Sequence, residues 1–227
     1  MVARGVDVDK LCDWFSSARM SRYAAAVNPG ALYVWDDRLS KAYLEDVAHV
    51  EILLRNFIAS RLAVDYGRRY ATEHGNWFDN LGTYNLDDKF ASSVARAKLR
   101  ISYTGKEVTY DRVIAALSFD VWRYLLVKRL EPTVWKAVRD KRNGGMPHYP
   151  GASRSDFEQH VSVIYTLRNR CSHQEHLVQT DLDEESRRLD FFSENIYWVA
   201  EKIDPAAAEW IRLNSRVTEV RASRPLG

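Results

Sequence analysis

Three residues near the end of one predicted helix, Arg168, Asn169 and His173, have side chains that suit chemistry on a phosphate group. The guanidinium of an arginine offers fixed hydrogen-bond donors to phosphate oxygens, and the amide of an asparagine can orient a neighbouring group. The imidazole of a histidine changes charge near neutral pH, so it serves as a general acid or a general base. The set therefore predicts an acid–base site that binds an anion.

The spacing of these residues raises a geometric question. Phe157, Val161 and Ile164 recur as on one face of a helix and predict an apolar residue at position 168, where the chain has arginine. An unpaired buried guanidinium is costly, so Arg168 needs a carboxylate, a phosphate or solvent. Arg168 and His173 also lie about 140° apart around an ideal helix. They converge only through the reach of the arginine, an irregular helix or a second subunit.

A structural alternative gives the same residues no catalytic role. Arg168 then pairs with an acid such as Glu51 or Glu175, and Asn169 helps to cap a neighbouring segment. In this interpretation His173 is an ordinary half-exposed histidine, and the protein is a helical scaffold.

Longer patterns around these residues carry a family resemblance. The string LRNRCSH resembles the Arg-Asn-x-x-x-His motif of the HEPN superfamily (higher eukaryotes and prokaryotes nucleotide-binding domains), with the three residues above at the matching positions. HVEILLRNFIASRLA at residues 49–63 and ALSFDVWRYLL at residues 116–126 are similar to other recurring segments of that family, in the same order. The resemblance covers residues 35–177 and is in particular to the abortive-infection-like proteins of bacteria.

The resemblance implies a function and a mechanism. HEPN ribonucleases are all-α, commonly dimeric and metal-independent, so two copies of the motif would face each other across a dimer cleft, with no cofactor. RNA cleavage without a metal needs a base for the 2′-OH, a cation for the charge on the phosphorane and a proton for the leaving 5′-oxygen. Arg168, Asn169 and His173 would supply these groups and give a 2′,3′-cyclic phosphate and a 5′-hydroxyl. We therefore expect a metal-independent endoribonuclease of phage defence or of a toxin–antitoxin pair, whose partners are RNA, a second copy of the chain and an antitoxin.

Two positions depart from subgroups of the family. Members paired with nucleotidyltransferase antitoxins have a tyrosine two residues after the histidine, where this chain has Glu175. The string LVQT at residues 177–180 also lacks the Trp-Asn expected of many abortive-infection-like members. The alternative from another functional class is a HEPN-like module whose Arg168 and His173 hold RNA or a nucleotide without cutting it.

Further candidates lie on the long predicted helix and inside the motif. Glu51 and Arg55 are four residues apart and most simply form a helical salt bridge. The sharper alternative is that one of them supports the motif, with Glu51 as the carboxylate that holds the motif arginine or histidine. Cys171 is expected to be a small packed side chain rather than a nucleophile, and His176 a solvated neighbour.

The segment over residues 128–154 is rich in positive charge. Its basic residues outnumber Glu131 and Asp140 by five. Such a cluster could steer RNA toward the motif that follows it, and the alternative is a solvated helix end with a basic loop. The predicted RNA-binding residues are Lys128, Arg129, Lys136, Arg139, Lys141, Arg142 and Arg154.

The composition favours an all-α fold in a single HEPN-like domain over residues 1–227. Aromatic residues are abundant, ten Gly and six Pro leave few breaks, and no repeat or linker divides the chain. The net charge of +2 does not by itself imply a polyanion partner. Cys12 and Cys171 fit neither a disulfide framework nor a zinc spacing, so no metal site is expected. With no apolar run of signal or membrane-spanning length, we expect a cytoplasmic protein that does not bind membranes.

Periodicity predicts the order of the helices. A first amphipathic helix covers residues 8–27 and is stopped by NPG, and one long helix covers residues 35–66. Trp77 and Phe78 are interpreted as apolar anchors of the loop that follows. Further helices are expected over residues 87–103, 111–130 and 132–139, then from residue 156 through the motif, and over residues 184–202 and 205–220.

Overall fold

Helices form every regular element of the chain in a computed structural model that describes residues 8–72 and 76–225. This confirms the predicted all-α fold, and no strand occurs within those two ranges. Across the same ranges, no helix combines the length and the apolar character that crossing a lipid bilayer requires.

The chain begins with short helices and then enters one very long one. The predicted helix over residues 8–27 is broken into α1 (Val8–Phe15), α2 (Ser17–Met20) and a 3₁₀ turn, Ser21–Tyr23. The long helix α3 (Pro29–Tyr70) starts six residues earlier than predicted. NPG does not only stop one helix, because Asn28 Oδ1 accepts the N–H of Ala31 at 2.9 Å and so caps the next.

The apolar face of α3 forms the centre of the core. On this face Val47, Val50, Leu54, Ile58 and Leu62 are buried, whereas Leu44 is only partly buried. This face packs against α9 (Arg154–Ser172) and α10 (Leu182–Ile203). Burial of each Leu or Ile side chain contributes about 1.5–3 kcal/mol to the stability of the fold. The contacts of α3 with α9 and α10 therefore stabilise the core.

Short helices cover the far end of α3. These are α4 (Leu81–Tyr84), α5 (Asp88–Tyr103), α6 (Tyr110–Ala116) and α7 (Phe119–Tyr124). Trp77 and Phe78 are fully buried in front of α4, which confirms the anchoring interpretation for these two residues; residues 73–75 of the same loop lie outside the described ranges.

The predicted helix over residues 111–130 is divided because Leu117 and Ser118 have extended backbone angles. A π-helical turn, Glu131–Trp135, then leads into α8 (Lys136–Arg139). At the end of the chain, the predicted helix over residues 205–220 is broken at Ser215 into α11 (Pro205–Asn214) and α12 (Val217–Ala222). The buried apolar residues of all these elements form one continuous cluster with α3.

Candidate functional site

Helix α9 presents the motif at its carboxyl end. The helix begins at Arg154, two residues before the predicted start, and Ser153 Oγ caps it by accepting the N–H of Asp156 at 3.3 Å. The sequence pattern predicted that the apolar face would pass through position 168. It passes instead through Leu167 and Cys171, which are both buried. Arg168 lies beside that face and is half-buried, so the guanidinium does not occupy a core position.

The chain leaves α9 through a tight turn that exposes His173. His173 is the C-cap residue, and Gln174 has a left-handed backbone with φ of 54°. The N–H groups of Gln174 and Glu175 donate to the carbonyls of Cys171 and Arg170, at 3.1 and 2.8 Å, which satisfies the helix end. Because the helix stops here, the His173 side chain faces solvent rather than a neighbouring turn.

Two distant residues hold the segment that follows the motif. The guanidinium of Arg19 donates to the carbonyl of Gln174 at 2.8 Å. The buried carboxylate of Asp36, on α3, accepts the backbone N–H groups of Leu177 and Val178 at 3.0 and 3.3 Å. The turn is therefore fixed from α2 and from α3 at once.

His173 opens onto a cleft of about 670 Å³ between this turn, α2 and α10. Four arginines and a second histidine line the cleft, against a single glutamate, Glu175. These basic residues are Arg19, Arg22, Arg170, Arg188 and His176. A cleft with this balance of charge attracts anions, and arginines bind phosphate oxygens in particular.

The arginines of the cleft are close enough to influence one another. Burial lowers the pKa of Arg188, and the guanidinium groups of Arg170 and Arg22 lower it further, whereas the carboxylates of Glu184 and Asp36 oppose them. Within the described ranges, neither Arg22 nor Arg188 has a salt bridge or a side-chain hydrogen bond; Arg188 lies over the ring of Phe192 instead. A bound anion would relieve this repulsion, since it would stabilise every charged form at once.

Arg168 is not among the residues that line this cleft. Its Nη1 donates to Asn169 Oδ1 at 3.3 Å, and its charge acts on Glu51 of α3. Burial raises the pKa of the Glu51 carboxyl, and Arg168 and Arg55 only partly oppose that effect. Glu51 and Arg55 do not form the predicted helical salt bridge, and Arg55 Nε donates to Asn56 instead.

The basic segment lies at the other end of α9. The helix has 19 residues, so at about 1.5 Å per residue its two ends are about 28 Å apart. Lys136, Arg139 and Lys141 line a separate cleft of about 810 Å³ with the loop that leads into α9, and all three are exposed. Lys128 is also exposed. This surface is open to an anion, but one helix length separates it from His173.

Three of the predicted RNA-binding residues have partners within the protein. Arg154 is buried and pairs with Glu131 and Glu158, so its assignment to an exposed RNA-binding surface is wrong. Arg129 donates to the Asn85 carbonyl at 2.5 Å and pairs with Asp87 at 3.3 Å. Arg142 pairs with Asp140 at 2.7 Å, which neutralises part of its charge, although its side chain is exposed.

Comparisons of the chain with protein-family models, with curated proteins and with solved structures found no match. The resemblance to HEPN proteins accordingly stays a prediction from the motif. Within the described ranges, no three His, Cys, Asp or Glu side chains come together as metal ligands. Cys171 is buried, as expected, and burial raises the pKa of its thiol to about 12, so it stays protonated at neutral pH.

Several residues of the cleft have no signal near the motif in the sequence. Arg19 and Arg22 precede it by about 150 residues, and they reach it because α2 and the 3₁₀ turn after it lie beside the turn that follows α9. The expectation that His176 is solvated is wrong, because its side chain is half-buried. Tyr23 contacts it from the 3₁₀ turn before α3, and Asp36 lies close to it on α3. The sequence around them shows only two arginines three residues apart, Arg19 and Arg22, followed by Tyr23.

Proposed function

We propose that the protein is a metal-independent endoribonuclease of phage defence or of a toxin–antitoxin pair, with its reaction at the cleft that contains His173. One observation carries the proposal: an exposed histidine at the end of the RNxxxH motif opens onto a cavity lined by four arginines and a second histidine. The arginines would hold the phosphodiester and stabilise the phosphorane, and the histidine would transfer a proton. The products would be a 2′,3′-cyclic phosphate and a 5′-hydroxyl.

The direct test is cleavage of total RNA and of tRNA by purified protein in excess EDTA. We expect wild-type protein to cleave RNA and His173→Ala to lower the rate by about 100-fold or more. His148→Ala is the matched control, because His148 is also exposed but lies beside the basic loop at the far end of α9. Circular dichroism checks the folding of both variants.

Two results would overturn parts of this function. Cleavage of DNA that depends on His173 would contradict transesterification, since DNA has no 2′-OH. RNA binding without any cleavage would favour the alternative of a non-catalytic RNA-binding or nucleotide-binding module. That alternative rests on the same cleft, because its arginines can hold a phosphate whether or not bond cleavage follows.

A homodimer would bring the motif arginine of one chain to the His173 of another. If Arg168→Ala and His173→Ala each prove inactive alone, the test is to mix the two variants. If a site takes its arginine and its histidine from different chains, the mixed dimer contains one intact site and activity returns. If both residues act from the same chain, or if Arg168 only shapes α9, mixing restores nothing. An antitoxin partner would be sought as a protein that abolishes cleavage when it binds.

A further inference from the structure

A chain of hydrogen bonds runs from Asp36 through Tyr23 to His176. The hydroxyl of Tyr23 donates to Asp36 Oδ2 at 2.7 Å and lies 2.7 Å from His176 Nδ1. A phenol has one O–H, which donates its hydrogen bond to the carboxylate, so the Tyr23 oxygen accepts a hydrogen bond from Nδ1–H of His176. His176 therefore carries its proton on Nδ1, and its Nε2 has a free lone pair.

The first members of this chain are fixed by the fold. Asp36 and Tyr23 are both buried. Asp36 Oδ1 accepts two backbone N–H groups, from Leu177 and Val178, so the carboxylate oxygens are both occupied. Tyr23 also packs edge-on against the imidazole of His176, with ring centroids 5.1 Å apart. The position and the tautomer of the His176 ring are thus set by Asp36 on α3 and by Tyr23 in the 3₁₀ turn before α3.

Charged groups from five elements of the fold lie near His176. Asp36 faces it from α3 at 3.7 Å, Arg19 and Arg22 from α2 and the 3₁₀ turn, and Arg170 from α9 through the His176 carbonyl. Arg188 of α10 lines the same cleft, as do His173 and Glu175. Burial is the largest cause that lowers the pKa of His176; Arg19 and Arg22 lower it too, and Asp36 opposes them. The imidazole is therefore neutral near pH 7 and able to accept a proton.

We propose that His176 is the general base of the cleft and that His173 is its general acid, which forms an acid–base pair within one chain. This rests on the proposed ribonuclease function. His176 Nε2 takes the proton of the 2′-OH while the 2′-oxygen forms a bond to phosphorus. The bond between phosphorus and the 5′-oxygen breaks, and His173 donates a proton to that oxygen. The arginines neutralise the negative charge of the phosphorane.

The experiment measures the rate of RNA cleavage against pH for wild-type protein, His176→Gln and Tyr23→Phe, with His148→Gln as the control. In the wild type, the rate should rise with pH through a limb whose midpoint lies below about 6.5, as His176 loses its proton. His176→Gln should lower the rate by about 100-fold and abolish that limb. Tyr23→Phe keeps the buried ring and should lower the rate less, because His176 remains but its tautomer is no longer fixed.

Nitrogen-15 NMR of the histidine rings gives a second readout that needs no variant and no activity. We expect the neutral His176 ring of the wild type to carry its proton on Nδ1, and Tyr23→Phe to reduce that population. A neutral ring protonated on Nε2 would overturn the assignment of His176 as base. So would an unchanged rate and pH profile in folded His176→Gln.

The two proposals fail in different ways. Loss of activity in His173→Ala together with full activity in His176→Gln would remove His176 from the reaction and leave the ribonuclease function standing. Absence of cleavage by the wild type would remove both the ribonuclease function and the catalytic role of His176. In that case the NMR measurement still decides whether the hydrogen-bonded chain exists.

Discussion

The carboxylate of Asp36 holds the backbone of Leu177: its Oδ1 accepts the Leu177 N–H at 3.0 Å, although 141 residues separate the two in sequence. The same oxygen accepts the N–H of Val178, and the other oxygen accepts the Tyr23 hydroxyl. One buried side chain of α3 therefore supports both the segment that follows the motif and the residue that orients His176.

Removal of the Asp36 carboxylate should destabilise the protein. Asp36→Ala leaves two buried backbone N–H groups and one buried hydroxyl without their acceptor, so the free energy of unfolding should fall by about 2–4 kcal/mol. The measurement is urea unfolding followed by circular dichroism. Asp37→Ala is the matched control: Asp37 is the next residue on α3, and within the described ranges its side chain pairs with Lys41 in an exposed salt bridge. It should change stability by less than about 0.5 kcal/mol. Equal effects of the two substitutions would contradict this role of Asp36.

The course of the helices was largely predictable because their signals are local. Ser153, Asn28 and the residues around them define caps within four positions of chain, and the apolar period of α3 is visible without any tertiary information. Errors occurred where two local signals were compatible with the same residues. NPG ends one helix and starts another, and a period between three and four allowed Leu167 rather than residue 168 to continue the apolar face of α9.

The cleft was less predictable, because its residues come from three separate regions of the chain. His173 was a candidate from the sequence, but Arg22 and Arg188 join it only when the 3₁₀ turn after α2 and helix α10 lie beside the end of α9. Charge density along the sequence instead indicated residues 128–154. That reasoning gave correct exposure for Lys136, Arg139 and Lys141, and it failed at Arg154, where folding places two carboxylates against a buried guanidinium.

The pH dependence of stability should reveal how Glu51 interacts with Arg168. Burial raises the pKa of Glu51 above its ordinary value of 4.5, so the folded state binds a proton more tightly than the unfolded state. Stability from this group is present at low pH and is lost as the pH rises through the folded pKa. Between pH 4 and 7, the free energy of unfolding of the wild type should therefore fall relative to that of Glu51→Gln. Unfolding in urea at several pH values measures the difference.

Glu45→Gln provides a control of opposite sign on the same helix. The hydrogen bonds from Arg216 hold the pKa of the Glu45 carboxyl below its ordinary value. Its stabilising effect is present above that ordinary value and is lost as the pH falls. If Glu51 behaved like Glu45, with wild-type stability rising with pH relative to Glu51→Gln, then Glu51 would be a strong ion-pair partner of Arg168 and the structural alternative for the motif would gain support.

Substitution of Arg154 and of Lys141 should distinguish a structural cation from an RNA-binding one. Arg154 donates to the Leu126 carbonyl at 2.7 Å and pairs with Glu131 and Glu158. Arg154→Met removes these donors from a buried position and should lower the free energy of unfolding by about 2–4 kcal/mol. Lys141→Met alters an exposed side chain and should leave stability unchanged.

RNA affinity at several salt concentrations should show the reverse order, with a weaker and less salt-dependent affinity only for Lys141→Met. A loss of affinity in folded Arg154→Met would restore Arg154 to the RNA-binding surface.

The turn after the motif should tolerate, and benefit from, a glycine. Gln174 has a left-handed backbone, which costs a residue with a Cβ about 1–2 kcal/mol, while glycine adopts it freely but loses more entropy on folding. The two effects together predict that Gln174→Gly raises the free energy of unfolding by about 0.5–1 kcal/mol, as measured in urea. Ser172→Gly, two residues earlier and in the last turn of α9, should instead lower it by about 0.5 kcal/mol, because its backbone is helical. A destabilised Gln174→Gly would mean that the glutamine side chain, and not only its carbonyl contact with Arg19, holds His173 and His176 at the cleft.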